Sequence, residues 1–116
     1  MSVVIYHNPR CSKSRETLAL LEEKGIAPEV VLYLEEDLTV DSLNTLYSQL
    51  ELTDVRAMMR TKEDIYKELN LADDSLTNQA LFEAMLENRK LIERPIVVAN
   101  GKARHGRPPE QVLEIL

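Results

Sequence analysis

The first thirty-four residues carry the pattern that most restricts the fold. Val3-Val4-Ile5-Tyr6 is a short β-branched run, Asn8-Pro9 signals a turn, and Cys11 to Lys24 follows with Leu18 and Leu21 on one helical face. Gly25 stands where a helix C-cap is expected, Pro28 follows, and Val30-Val31-Leu32-Tyr33-Leu34 is a second apolar strand. Strand, helix and strand in this order form a βαβ unit. Its crossover is right-handed in nearly all proteins, so the two strands are expected to lie parallel in one sheet.

The middle of the chain has a helical period. Leu43, Leu46, Tyr47 and Leu50 follow an expected N-cap at Thr39, and Val55, Met58 and Met59 predict a short helix ending near Arg60. Ile65 and Leu69 suggest another helix, and Leu81 with Met85 predicts one after Thr77. Residues 39 to 91 contain neither Gly nor Pro, so no linker sets them apart and they read as a helical insertion packed on the sheet. Ile96 to Ala99 and Lys102 to His105 flank Asn100-Gly101, the pair that supplies both positive φ angles of a type I′ hairpin turn. Pro108 or Pro109 fits the first turn of a last helix, with Val112, Leu113 and Leu116 as its apolar stripe. The order is therefore βαβ, helices, ββα. With a cysteine at the start of the first helix and a proline just before the third strand, it matches the α/β thioredoxin architecture: a mixed sheet with a helical insertion, about 39–91, between the second and third strands.

A length of 116 residues with 44% apolar and 29% charged composition suits one domain, 1–116, around one core. No apolar run approaches the roughly 18 residues of a membrane span. The start lacks a basic n-region and a long apolar stretch, so a cytoplasmic location without membrane contact is expected. A net charge of -6 argues against general nucleic-acid binding. The charge is unevenly placed: residues 16 to 93 hold 18 of the 20 acids, whereas Arg10, Lys13 and Arg15 at one end and Arg94, Lys102, Arg104 and Arg107 at the other stand in acid-free stretches. If the fold joins these ends, they make a local positive pocket suited to a small anion.

Cys11 is the one cysteine, so an internal disulfide and a multi-cysteine zinc site are both excluded. A lone intracellular cysteine is more often inert and buried, but its place reverses those odds: the unpaired N–H groups of a helix start favour its thiolate. Arg10, Lys13 and Arg15 add positive charge, and His7 can donate a hydrogen bond. Cys11-Ser12-Lys13-Ser14 is a C-x-x-S motif, a dithiol redox motif with a hydroxyl in place of the second sulfur, which implies monothiol chemistry. Ser14, one turn beyond Cys11, can hydrogen-bond the thiolate or simply fill the helical turn. A C-x5-R phosphatase loop would need arginine at the position of Thr17, and a metal at His7 and Cys11 would lack a third ligand.

Three segments carry a resemblance that runs through the chain: Tyr6-His7-Asn8-Pro9-Arg10-Cys11-Ser12-Lys13-Ser14-Arg15, Val55-Arg56-Ala57-Met58-Met59-Arg60, and Glu93-Arg94-Pro95-Ile96-Val97-Val98 followed by Gly106-Arg107-Pro108. Together they resemble the glutaredoxin-coupled arsenate reductase family. The resemblance implies that Cys11 attacks arsenate while Arg60, Arg94 and Arg107 hold the oxyanion, with His7, Ser14 and Arg15 stabilising the thiolate. Pro95 looks like the family's cis-proline beside the active cysteine. It further implies glutathione as co-substrate, glutaredoxin as partner, no metal, and no bound cofactor. Ser12 and Lys13 depart from the family, whose best-studied members read Cys-Gly-Thr-Ser-Arg at 11–15. Two other readings stay open: an RNA polymerase-binding transcription regulator of the same fold, whose dithiol switch this chain lacks, and a glutathione-dependent thiol-transferase.

Overall fold

Strand β1 (Val3–Tyr6) buries Val3 and Ile5 on one side and half-buries Val4 and Tyr6 on the other, the alternation of a strand covered on both faces. In the computed structural model, which describes residues 2–116, it is an inner strand of a four-stranded sheet of order β2-β1-β3-β4. Strand β2 (Glu29–Val31) runs parallel to β1, as the βαβ reading expects. Strands β3 (Ile96–Ala99) and β4 (Lys102–His105) form the expected hairpin, and β3 pairs antiparallel with β1. Asn100 and Gly101 take φ of 55° and 76°, the left-handed pair that a type I′ turn needs. The mixed sheet and its order are thioredoxin-like.

Two helical layers enclose the sheet. On one face, Val3, Ile5, Val97 and Ala99 pack against Leu21 of α1 (Ser12–Glu23) and against Val112 and Ile115. Helix α1 ends in a Schellman motif, in which the Ile26 N–H donates to the Leu21 carbonyl and the Gly25 N–H to that of Glu22, both at 3.0 Å. On the other face, Ile96 and Ala103 meet the helical segment between β2 and β3. Its helices are α2 (Val40–Gln49), α3 (Asp64–Glu68) and α4 (Asn78–Glu87), with 3-10 turns at Val55–Met58 and Arg89–Leu91. Thr39 caps α2 in a reciprocal capping box with Ser42, and Thr77 caps α4 through the Ala80 N–H. A cap contributes about 1 kcal/mol and each fully buried Leu about 2 kcal/mol, so Leu43, Leu46 and Leu81 hold these helices more than their caps do. Without glycine, the segment turns through left-handed Glu51 and Asn70 instead.

Three expectations need correction. The second strand stops at Val31 rather than Leu34, because β2 is an edge strand and the Glu35 and Glu36 N–H groups turn back onto the Leu32 carbonyl. Val30 and Leu34 are consequently exposed, while Tyr33 alone turns inward. The helix expected to run to Arg60 ends at Met58, since Met59 extends to pair with Ile92. The last helix is 3-10 over Pro109–Ile115. Its three-residue repeat buries Pro109, Val112 and Ile115 and leaves Leu113 exposed, in place of the α-type stripe at Val112, Leu113 and Leu116.

The register gathers the ends that matter. Tyr6 pairs with Val31 and with Ile96, and Ile96 pairs with His105. The loop after β1, the turn after β2, the residues before β3 and those after β4 therefore share one end of the sheet. Close packing secures this end: a Cβ at Gly106 would collide with Thr17 Oγ1 and lie 2.7 Å from Pro95 Cγ. Thr17 sits on α1, so Gly106 lets the Arg107 segment press against the helix that carries Cys11. Gly106→Ala should lose about 1–3 kcal/mol in urea unfolding, and Thr17→Ala in the same chain should restore part of it. An unchanged midpoint in the single variant would refute this packing.

Candidate active site

The loop after β1 is built by its own hydrogen bonds. The Asn8 carbonyl accepts the Cys11 N–H at 3.0 Å and the Asn8 side chain accepts the Arg10 N–H at 3.0 Å, which turns the chain into α1. Behind it, the fully buried Ser14 hydroxyl accepts the Asn8 N–H at 3.0 Å and pairs with His7 Nδ1 at 2.6 Å. Cys11 is then the N-cap of α1, 9% exposed.

Its sulfur meets Arg107, whose Nη2 donates at 3.5 Å. Burial alone pushes the Cys11 thiol up. The Ser14 backbone N–H, a hydrogen bond from Arg94 and the charges of Arg94 and Arg107 outweigh burial, and the thiol titrates below its ordinary value. The Ser14 N–H falls short of true capping geometry at the sulfur, so it acts as the nearest dipole of the helix start rather than as a full cap. Two guanidinium groups beside one depressed thiol make a nucleophile with an anion-holding surround.

Arg107 is itself held. Its Nε donates to the Arg94 carbonyl at 2.7 Å and pairs with Glu93 Oε1 at 3.0 Å, and the same carboxylate accepts the Arg94 N–H at 3.2 Å. Glu93 thereby ties the segment before β3 to the segment after β4. The Arg94–Pro95 peptide is cis, as the resemblance implied, and Arg107–Pro108 is cis as well.

The structure brings Cys11, Arg94, Arg107 and Pro95 together, but distributes the other expected residues differently. Arg60 is anchored to this region through its N–H on the Leu91 carbonyl at 2.7 Å, while its guanidinium faces Glu63 at 3.8 Å. His7 and Ser14 serve the loop from behind, and Ser14 acts on the sulfur through its backbone rather than its hydroxyl. Arg15 donates to the Pro9 carbonyl at 3.0 Å, and its charge bears on His7, whose pKa burial and Arg15 together lower. Lys13 pairs with Glu16 on the surface, and Arg104 with Glu51 and Glu114. Of the seven cations in the acid-free stretches, then, Arg94 and Arg107 carry the local field at the sulfur.

Three residues near this end escaped the sequence reading. Glu93 had a signal, a carboxylate inside the Glu93-Arg94-Pro95 motif. Tyr33 and His105 had none beyond their strand patterns. Burial and the Arg107 charge push His105 from the ordinary 6.5 down to about 4. A cleft of about 300 Å³ lined by His7 to Arg10, Leu32, Leu34 and Glu35 adjoins the loop, although Cys11 is not in its wall. Among the described residues, no group of three His, Cys, Asp or Glu could hold a metal ion, and no helix is long and apolar enough to cross a membrane.

Known proteins resemble this chain over nearly its whole length. The model of the ArsC family matches residues 6–115. An arsenate reductase of Haemophilus influenzae is 58% identical over the full length of both chains. The uncharacterized protein YfgD of Escherichia coli is 66% identical over 98% of this chain and 96% of its own. The solved arsenate reductase from Vibrio cholerae superposes with a TM-score of 0.97 at 72% identity, covering 100% of this chain and 98% of that one.

Two measurements check the electrostatics. In iodoacetamide rate profiles, Arg107→Gln should move the Cys11 midpoint upward and Arg15→Gln should move it less; the reverse order would remove Arg107 as the source. For His105, the unfolded chain binds a proton between pH 6.5 and about 4 that the folded chain refuses, so stability falls as pH drops through that window. The wild-type chain should lose up to about 3 kcal/mol more than His105→Gln between pH 7 and pH 4 in urea titrations. Parallel losses would show His105 free to ionise in the fold.

Proposed function

The chain belongs to the ArsC family, and from that premise we propose that it reduces arsenate to arsenite through a Cys11 thiolate. The observation that carries this reading is Arg107 Nη2 at 3.5 Å from Cys11 Sγ, beside an Arg94 that also lowers the thiol. The names of the relatives from Haemophilus influenzae and Vibrio cholerae supply the substrate.

Arg94 and Arg107 hold arsenate over the sulfur, two permanently charged forks matched to a tetrahedral oxyanion. The same two groups stabilise charge as the bond forms. The thiolate attacks arsenic, an S–As bond forms, and one oxygen leaves as water after taking up protons from solvent. Arg60 joins the oxyanion only if its guanidinium leaves Glu63, a pair that at 3.8 Å and partial exposure contributes little.

Reduction needs two electrons, and a chain with one cysteine cannot supply them by closing its own disulfide. An external thiol is therefore needed, and glutathione, which the family resemblance implies, takes that place: its sulfur displaces another arsenate oxygen as water and leaves arsenic between two sulfurs. A glutaredoxin thiolate then attacks the glutathione sulfur. The electron pair of the broken S–As bond stays on arsenic, which becomes As(III), and the two thiols depart as one mixed disulfide. Hydrolysis of the remaining S–As bond releases arsenite and the Cys11 thiolate.

NADPH consumption with arsenate, glutathione, glutaredoxin and glutathione reductase should proceed with the wild-type chain and fall to background with Cys11→Ser. Thioredoxin and its reductase without glutathione should not replace that system. Equal rates with thioredoxin alone would overturn the glutathione route, and full turnover by Cys11→Ser would overturn the nucleophile.

A further inference from the structure

Tyr33 follows the edge strand β2, at the sheet end that carries Cys11. It is 1% exposed and its ring is part of the larger core, yet its hydroxyl has no hydrogen-bond partner among the described residues. The Asn8 side chain is near enough to act on the hydroxyl as a weak hydrogen-bonding neighbour that lowers its pKa, although it stops short of regular bonding geometry. The residue is fixed from its backbone side: Arg89 donates to the Tyr33 carbonyl at 3.0 Å and also to the Glu36 carbonyl, which clamps the turn onto the helical layer.

A second buried polar atom in the same place is also unpartnered, Nε of Arg94. Buried polar groups are almost always paired, so these two orphans, with His105 Nε2 as a third at the same end of the sheet, call for an explanation. Tyr33 and Arg94 can both donate: a tyrosine hydroxyl carries one O–H, and an arginine Nε has a hydrogen and no acceptor capacity. Glu93, the nearby carboxylate, accepts at Oε1 from Arg107 and from the Arg94 backbone N–H and is not bonded to either of these donors. One acceptor with several oxygens could take a hydrogen bond from each of these donors.

We propose that the Tyr33 hydroxyl is a positioning donor of the active site, giving its hydrogen bond, together with Arg94 Nε–H, to a non-reacting oxygen of the oxyanion held over Cys11. The inference rests on the oxyanion reading above and adds a neutral donor to the two guanidinium groups. The added donor comes from the turn after β2 rather than from the helical segment that carries Arg60. Burial pushes the Tyr33 hydroxyl pKa up, while Arg94 and Asn8 draw it down and Cys11 and Glu93 raise it. The group therefore stays protonated, as a donor must, and its electrostatic neighbours are those of the site.

The test is Tyr33→Phe in the full chain, with melting temperature followed as sulfate or arsenate is titrated. Without anion, the variant should melt at or above the wild-type temperature, because an unpaired buried hydroxyl stabilises nothing. With anion, its half-saturating concentration should rise at least about tenfold, and the KM for arsenate should rise with it. A merely structural role would show the opposite, a lower melting temperature and unchanged anion affinity, and would overturn the proposal. If the wild-type chain responds to neither anion, the oxyanion reading falls and takes this inference with it; if it responds and Tyr33→Phe matches it, only the role of Tyr33 falls. In the wild-type chain, the ¹³Cζ resonance of Tyr33 should shift on saturation with sulfate, and an unmoved resonance would likewise overturn the assignment.

Discussion

A sulfur that is nearly buried and still favours its ionised form is the constraint around which the rest of this molecule is arranged. Burial opposes the Cys11 thiolate, and only the helix start, Arg94 and Arg107 oppose burial. Charge can win that contest because a partly dry site screens little, so two guanidinium groups at short range count for more than several on the surface. The same dryness would make two adjacent guanidinium groups repel strongly if nothing stood between them. Glu93 answers this by pairing with the Arg107 guanidinium, and its bond from the Arg94 backbone N–H fixes the segment that carries the second cation.

The sheet makes this arrangement possible through register alone. Tyr6, Val31, Ile96 and His105 lie side by side across four strands. Each segment that supplies the site leaves the sheet at that row: His7 to Cys11, Leu32 and Tyr33, Arg94 and Pro95, Gly106 and Arg107. A one-residue slip in any pairing would turn alternate side chains to the wrong face and separate these segments. The contact of Gly106 with Thr17 and Pro95 closes the gap between α1 and the hairpin, where no larger residue fits.

The helical segment contributes from a distance. Arg56 straps the Leu71 and Asp73 carbonyls, Arg89 straps those of Tyr33 and Glu36, and Arg104 joins Glu51 and Glu114. In this acidic chain, most of the buried or half-buried arginines bind backbone carbonyls or single carboxylates and are thus structural. Arg94 and Arg107 differ in that part of each guanidinium faces a thiol instead of a carbonyl.

The elements that could be read from the residues are those whose cause is local. The βαβ opening, the capped helices after Thr39 and Thr77, and the Asn100-Gly101 hairpin each follow from a period or a turn within a few residues, and each is present. The proposed nucleophile was legible for the same reason, since a cysteine at a helix start meets the N–H dipoles of its own next turn. Where tertiary packing chooses, the sequence was silent or misleading. It could not show that β2 lies at an edge and stops at Val31, or that the last helix winds with a three-residue repeat, because both depend on what lies alongside. Nor could it rank the cations: Arg15, four residues from Cys11, turns to the Pro9 carbonyl, whereas Arg107, ninety-six residues away, reaches the sulfur. Charge acts through distance in space, and only the register of the sheet sets that distance.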